Sequence, residues 1–230
     1  MYFGDFVEML KYDDFIEKVN EAGFLNPFTN YIDLGIFTYG GKSSQAYSGN
    51  PETDTEQWKM RSAQEKKLAY GFFFNGKPGG YIAPRFYSIF IDAFKPRMTV
   101  EERYKSGKLG EYEKIIWDLL NQHGTPLSWS DFRQKAGFSP ANKYKEECRK
   151  LESALKQLQA TFDITVSGTA GHIGCDKADN WVPPEWMEMN PRMEHEEALE
   201  IIYQQSEKIS NAGNAKKAFA KSLKLYTLFC

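Results

Sequence analysis

The chain has 230 residues, 41% of them hydrophobic and 15% aromatic, with a formal net charge of −2. That length suits one large domain or two small ones, and the apolar content excludes global disorder. The near-neutral balance excludes a polyanion binder that works by bulk charge alone.

Residues 13–22 read as a short helix ending at Gly23, with Phe15, Ile16 and Val19 as its apolar contacts. Asp13 and Asp14 suit the positive end of its macrodipole. Residues 31–39 read as a strand ended by Gly40-Gly41, and residues 42–51 as a polar loop. A long helix is expected over 55–74, with Thr53 as its cap and Glu56 three residues on. Residues 75–80, Asn-Gly-Lys-Pro-Gly-Gly, form a sharp turn. They lack the Gly-Lys-Ser/Thr ending of a phosphate loop. Residues 81–84 are a short extended piece, and 86–94 an apolar helix ending near Pro96. A basic helix over 99–106 has Thr99 and Glu102 in capping-box positions and stops at Gly107.

Three helical patterns then come in succession, followed by a hairpin signal. Tyr112, Ile115, Ile116, Leu119 and Leu120 mark the first helix, stopped near Gly124 and Pro126. The second starts at Ser128, whose hydroxyl can accept from the Asp131 amide, with Leu127 stapled onto Phe132. Gly137 ends it, and Pro140 prevents its continuation. The third carries Tyr144, Cys148, Leu151, Leu155, Leu158 and Phe162 at alternating four- and three-residue steps, one apolar stripe of a helix. The period then switches to two, as Phe162, Ile164 and Val166 alternate with Asp163, Thr165 and Ser167. This predicts a strand with one buried face. Residues 167–171 contain two glycines suited to a turn, and 172–175 return as a second strand. Three helices followed by a tight hairpin form a winged helix, a unit that mostly binds duplex nucleic acid.

Beyond it, residues 180–186 read as a rigid aromatic linker placed to pack over the wing, and 194–210 and 214–226 as two helices. Three widely spaced cysteines, Cys148, Cys175 and Cys230, suit a reduced cytoplasmic protein better than a disulfide framework. Acidic residues interrupt the first 25 positions, so no signal peptide is expected, and no apolar run approaches the 18 residues of a membrane span. His172 and Cys175 are too few for a metal site, so no metal and no cofactor are expected. The fold class expected is α+β and mostly helical. A winged helix over 109–176 lies between an aromatic-rich N-terminal region, 1–108, and a linker with C-terminal helices, 177–230, all packed as one unit.

The run from Trp58 to Phe94 resembles a segment of the AlkZ-type DNA glycosylases, bacterial winged-helix enzymes that remove alkylated or crosslinked purines. The likeness rests on residues 70–77, Tyr-Gly-Phe-Phe-Phe-Asn-Gly-Lys, and on 82–86, Ile-Ala-Pro-Arg-Phe. The segment from Glu111 through Leu155 to Thr165-Val166-Ser167-Gly168 is similar to the winged helix that follows in that family. The order of helix, turn and wing resembles still more closely the shorter AlkZ-related proteins. The resemblance implies a bacterial DNA-repair setting. It does not carry the catalytic residues across. The glycosylases have a Gln-apolar-Gln motif in an N-terminal winged helix, whereas here Gln45 is the one glutamine before residue 57. Gln157-Leu158-Gln159 has the right letters at the end of the third helix, where Leu158 belongs to the core stripe, and reads as a coincidence. The histidine expected beside the Tyr70 segment is also missing.

Two surfaces are candidates for duplex DNA. The exposed face of the third helix offers Lys143, Lys145, Arg149 and Lys150, diluted by Glu146, Glu147 and Glu152. The charge distribution supplies the other. Residues 1–54 carry three Lys/Arg against nine Asp/Glu, 55–108 eleven against five, 111–175 eight of each, and 176–230 seven against nine. In the basic middle, Lys59, Arg61, Lys66, Lys67, Lys77, Arg85, Lys95 and Arg97 interleave with Tyr70, Phe73, Phe74 and Tyr81. That composition suits phosphate neutralisation with base stacking, or a core of aromatics whose lysines face water. Lys77 and Arg85, in or after turns, are the residues there best placed for contact. The leading expectation is therefore a winged-helix DNA-binding protein for damaged or distorted duplex, with no oligomeric state implied. A divergent N-glycosylase using Gln64 or Glu65, and a protein-interaction module without catalysis, stay open beside it.

Overall fold

The computed structural model describes residues 10–25, 38–39, 42–43, 48–73, 79–168 and 174–209. The first helix, α1 (Tyr12–Ala22), buries Tyr12, Phe15 and Val19, and Gly23 at φ +88° ends it by returning its amide to the Val19 carbonyl. Then come β1 (Phe24–Leu25) and the antiparallel pair β2 (Thr38–Tyr39) and β3 (Lys42–Ser43). Residues 42–43 are thus strand, not the start of the expected loop.

The helix expected to reach residue 74 is shorter. It is α2 (Thr55–Gln64), and its cap is Asp54, whose carboxylate accepts from the amides of Glu56 and Gln57, instead of Thr53. Lys66 takes the left-handed φ of +51°, and the amides of Lys67 and Leu68 turn back to the Ser62 carbonyl. The chain then leaves as β4 (Ala69–Gly71), which pairs with β5 (Gly80–Ile82) in a sheet ordered β1-β5-β4. The helix-favouring composition of residues 63–69 loses here to ladder hydrogen bonds and to the burial of Ala69, Tyr70 and Tyr81.

The helix α3 (Pro84–Phe94) opens on proline, which is pre-set for a first helical position, and α4 (Val100–Lys105) has the reciprocal Thr99–Glu102 capping box that its sequence predicts. Next come α5 (Glu111–His123), ended by left-handed Gly124, then β6 (Leu127–Ser128), α6 (Trp129–Lys135) with its Ser128–Asp131 box, and α7 (Lys145–Ala160). The strands β7 (Ile164–Val166) and β8 (Gly174–Lys177) complete a three-stranded antiparallel sheet ordered β6-β8-β7. β6 was not anticipated. Its two residues pair with Cys175 and Gly174 and tie the start of α6 to the hairpin.

The expected aromatic linker is instead two short helices, α8 (Ala178–Trp181) and α9 (Pro184–Glu188). The first packs on β7 and β8 and the second on α3. The last described helix, α10 (His195–Ile209), also lies on α3. The helix expected over 214–226, residues 31–37 of the first expected strand, residues 75–78 of the expected turn and His172 lie outside the described residues, and Gly80 of that turn begins β5. The fold is mixed α/β, mostly helical with small antiparallel sheets. Among the described residues no helix is long and apolar enough to cross a membrane.

The stretch after α7 departs from one-sided burial. Asp163, Thr165 and Ser167 are buried along with Phe162, Ile164 and Val166, because β4 covers one side of β7 and α8 comes to lie on it as well. Asp163 is tolerated there by pairing with Arg103 of α4, Nη2 to Oδ1 at 2.6 Å, with the two side chains 7% and 0% exposed. Burial pushes the Asp163 carboxyl up, and Arg103 and the Thr161 hydroxyl act against that shift. Phe162 sits at the corner with φ +56°. Its ring stacks on Phe73 (4.9 Å, 9°) and meets Tyr87 edge-on (5.7 Å, 79°). One side chain therefore joins the α7 corner to the β4 and α3 aromatics.

A second clamp joins α1 to α2. Glu65 accepts from Arg61 Nε at 2.9 Å and from the Tyr12 hydroxyl at 3.0 Å, with Lys67 at 3.3 Å, while the Arg61 guanidinium lies 3.8 Å over the Tyr12 ring. Burial works against the charge on Glu65. The hydrogen bonds from Arg61, Tyr12 and Lys67 outweigh it and hold the carboxyl below its ordinary value of 4.5.

Two outcomes follow. Phe162→Ala should cost about 3–5 kcal/mol in urea unfolding, the range for an aromatic core truncation, with no compensation from the relaxed φ. Glu65→Gln should lower the melting temperature by roughly 1–3 °C at pH 7, since these groups are partly solvated. A carboxylate depressed by folding stabilises fully above its unfolded value and loses that contribution as pH falls through its folded value. The gap between the two proteins should therefore close toward pH 3, as read by melting curves across pH.

Candidate nucleic-acid interface

Of the two candidate surfaces, the basic middle has most of its cations in ion pairs, largely with carboxylates from other stretches of the chain. Lys59 pairs with Glu56 (2.6 Å), Arg61 with Glu52 and Glu65 (2.7 and 2.9 Å), Lys67 with Asp13 (3.1 Å), Lys95 with Asp179 (2.6 Å) and Arg97 with Glu194 (3.5 Å). Tyr70, Phe73 and Tyr81 are buried, so they belong to the core and are not stacking platforms. Arg85 is exposed on α3 and donates from Nη2 to the Glu21 carbonyl at 2.7 Å. Lys77 and Phe74 lie outside the described residues. Glu65 is committed to Tyr12, Arg61 and Lys67, which gives it a structural task.

The third helix keeps its apolar stripe. Leu151, Leu155 and Leu158 are buried, with Tyr144 and Cys148 half-buried at its start, and α7 packs on α5 and β7. Rotated by one residue from that stripe lies another, Lys145, Arg149, Glu152, Lys156 and Gln159, at steps of four, three, four and three. That spacing puts them on one side of the helix. Exposure falls along it: Lys145, Arg149 and Glu152 are exposed, Lys156 is half-buried, and Gln159 is 3% exposed. Lys143 and Lys150 are also exposed, over the rings of Tyr144 (5.2 Å) and Tyr112 (5.7 Å). The acids on the helix partner the cations locally. Arg149 donates to Glu146 at 3.0 and 2.8 Å, Lys150 lies 3.8 Å from it, and Lys156 pairs with Glu152. The bonds from Arg149 hold Glu146 below the ordinary carboxylate range. The pairs of Arg149 and Lys150 with Glu146 are solvent-exposed and within one helix, weak enough for a phosphate to compete for the same cations.

The buried end of this stripe opens into a cavity of about 340 Å³. Its aromatic wall is Phe72, just after β4, with Trp129 and Phe132 of α6. Trp129 is positioned by the Ser128 cap, which makes it the first residue of α6, and Phe132 is held by burial. Gln159 lines the cavity and Gln157 is not among its lining residues. The Gln159 Oε1 accepts from the Phe72 amide at 3.1 Å, while among the described residues its Nε2 donates only to the Cys175 sulfur, at 3.7 Å. A Cβ at Gly71 would lie 3.0 Å from that Oε1 and 2.8 Å from the Phe73 ring, so the close approach of β4 to α7 requires glycine. Burial, aided by Asp176, pushes the Cys175 thiol up to about 12, so it stays protonated at neutral pH. Gln159 does not titrate. The cavity offers flat apolar surface, one amide donor and, in Glu152 and Lys156, one charge of each sign.

The hairpin is placed as well. Gly168 takes φ +69°, and a Cβ there would come within 2.7 Å of the Met60 carbonyl and 3.0 Å of the Gln64 amide. The strand end of β7 therefore leans on the end of α2. Residues 169–173 lie outside the described residues.

Gln159 stands in the sequence as the last residue of Gln157-Leu158-Gln159, but Phe72, whose amide it accepts from, and Trp129, with which it lines the cavity, lie 87 and 30 positions away. Gln159→Leu should cost about 1–3 kcal/mol in urea unfolding, because the partly buried Phe72 amide loses its acceptor. Full retention of stability would show that this amide finds another partner. Neither the curated proteins nor the solved structures contain a significant match to the chain. A family model, AlkZ related, matches residues 9–224, and the chain belongs to that family.

Proposed function

We propose that the protein binds duplex DNA in a repair setting, with α5, α6, α7 and the β6-β8-β7 sheet acting as a winged helix and α7 as its groove-facing helix. Membership of the AlkZ-related family supports the repair setting. The observation that carries the DNA reading is the row of exposed cations on one helix, Lys145 and Arg149 with Lys143 and Lys150 beside them. The carboxylate partner of Arg149 and Lys150, Glu146, comes from the same helix and is itself exposed. A helix packed through its leucine stripe on α5 has this side left for a partner. Phosphates would replace Glu146 around Arg149 and Lys150, and the cations would set the register of the protein on the backbone. The nearby carboxylates keep non-specific affinity low and disfavour deep, sequence-blind coating of DNA. In this reading Arg85, exposed on α3, is a further candidate for phosphate contact.

Four phosphate contacts predict a slope of about −3.6 for log K against log salt, which is roughly a hundredfold loss of affinity between 50 and 200 mM. Fluorescence anisotropy with a labelled duplex measures it. The triple variant Lys145→Ala, Arg149→Ala, Lys150→Ala should flatten the slope to about −1. Binding that ignores both salt and these substitutions would refute the proposal.

A further inference from the structure

We infer that the cavity between the end of β4, the start of α6 and α7 receives one unpaired nucleobase from the strand whose phosphates follow the α7 cations. This rests on the DNA-binding reading above and adds a preference: the protein favours places where a duplex offers a base that is not stacked in the helix.

The chemistry of the walls sets the class of ligand. Phe72 and Trp129 are half-buried at the cavity, and Phe132 closes its floor. Its size falls at the lower end of the roughly 300–1,000 Å³ typical of small-molecule sites. Stacking on aromatic rings suits any planar heterocycle and is the usual means of holding unpaired bases. The polar groups narrow the choice. Among the described residues the Gln159 Nε2 donates only to a thiol sulfur, a weak acceptor, at 3.7 Å, so it can serve a ring nitrogen or carbonyl. Glu152 can accept from an exocyclic amine, and its present partner Lys156 can turn to a phosphate. A cavity with both a donor and an acceptor in its lining suits a base that offers both a ring acceptor and an amine, as adenine does.

Position argues for the same occupant. The Lys156 ammonium stands 5.1 Å over the Phe72 ring, between the exposed cations and the cavity. From Lys145 to Lys156 the helix rises about 16 Å, so a strand held by the first cations reaches the last one and the cavity together. Among the described residues lining the cavity, a phosphate would find no cation except Lys156. An isolated aromatic side chain of a peptide would leave the row of cations without a role. A base attached to its own phosphates uses both.

The test uses the full chain and three labelled duplexes: fully paired, with a single unpaired adenine, and with an abasic site at the same bulge. The wild-type protein should bind the adenine bulge about tenfold more tightly than the abasic bulge, a ratio in the range of one base stacked on an aromatic. Phe72→Ala should bring the adenine bulge down to the abasic level. Because that variant could lose structure, 2-aminopurine is also placed at the bulge in the wild-type complex, where stacking on Trp129 or Phe72 should quench its fluorescence. Equal affinity for the adenine and abasic bulges, with no quenching, overturns the cavity assignment while salt-sensitive binding of the paired duplex leaves the DNA reading standing. Failure to bind any of the three overturns both.

Discussion

The architecture depends on how Phe162 is held. It ends α7 in a left-handed conformation, an arrangement that costs energy for a bulky residue, and in return its ring enters the cluster of Phe73, Tyr87 and Phe90. That corner turns the chain straight from α7 into β7 and brings the α7 stripe against β4. Arg103 and Asp163 lock the same corner from the other side with a buried ion pair. Such a pair adds little net stability but leaves a strongly unfavourable charge if either partner is lost. With the apolar side of α7 fixed in this way, its cations have only the solvent side left to occupy.

The same constraint produces the cavity. Gln159 reaches the Phe72 amide because β4 lies against α7, and β4 can come that close because Gly71 has no side chain. Trp129 arrives from a third direction, set by a capping box and by the two-residue strand β6 that pairs with Cys175. Rigid elements therefore surround the cavity on every described side, and a ligand would meet preformed walls. The aromatic residues of the chain divide accordingly. Tyr70, Phe73, Tyr81 and Phe162 hold the fold, while Phe72 and Trp129 keep part of their surface open.

What could be read in the sequence was what is decided locally. The Thr99 and Ser128 capping boxes, the stop at Gly124 and the α7 stripe each depend on residues within a few positions of one another, and the structure has all of them. The end of α2 was not legible. Residues 63–69 favour helix by composition, and only pairing with β5, more than ten residues on, makes strand the better choice for 69–71. The choice of Asp54 over Thr53 as cap turned on one residue of register. The ion pairs of the basic middle draw on partners as distant as Asp179 and Glu194, which no window around Lys95 or Arg97 contains. The cavity was hidden for the same reason, since its walls come from four separate stretches of chain.

The central claim is that the solvent side of α7 is where DNA meets this protein. An amide-resolved NMR titration of the full chain with a short duplex tests it most directly. The account predicts that the shift changes concentrate on residues 143–156 and on the Trp129 indole, and that they fade as salt is raised. Changes confined to α1, α9 or α10, with α7 silent at saturating duplex, would contradict it.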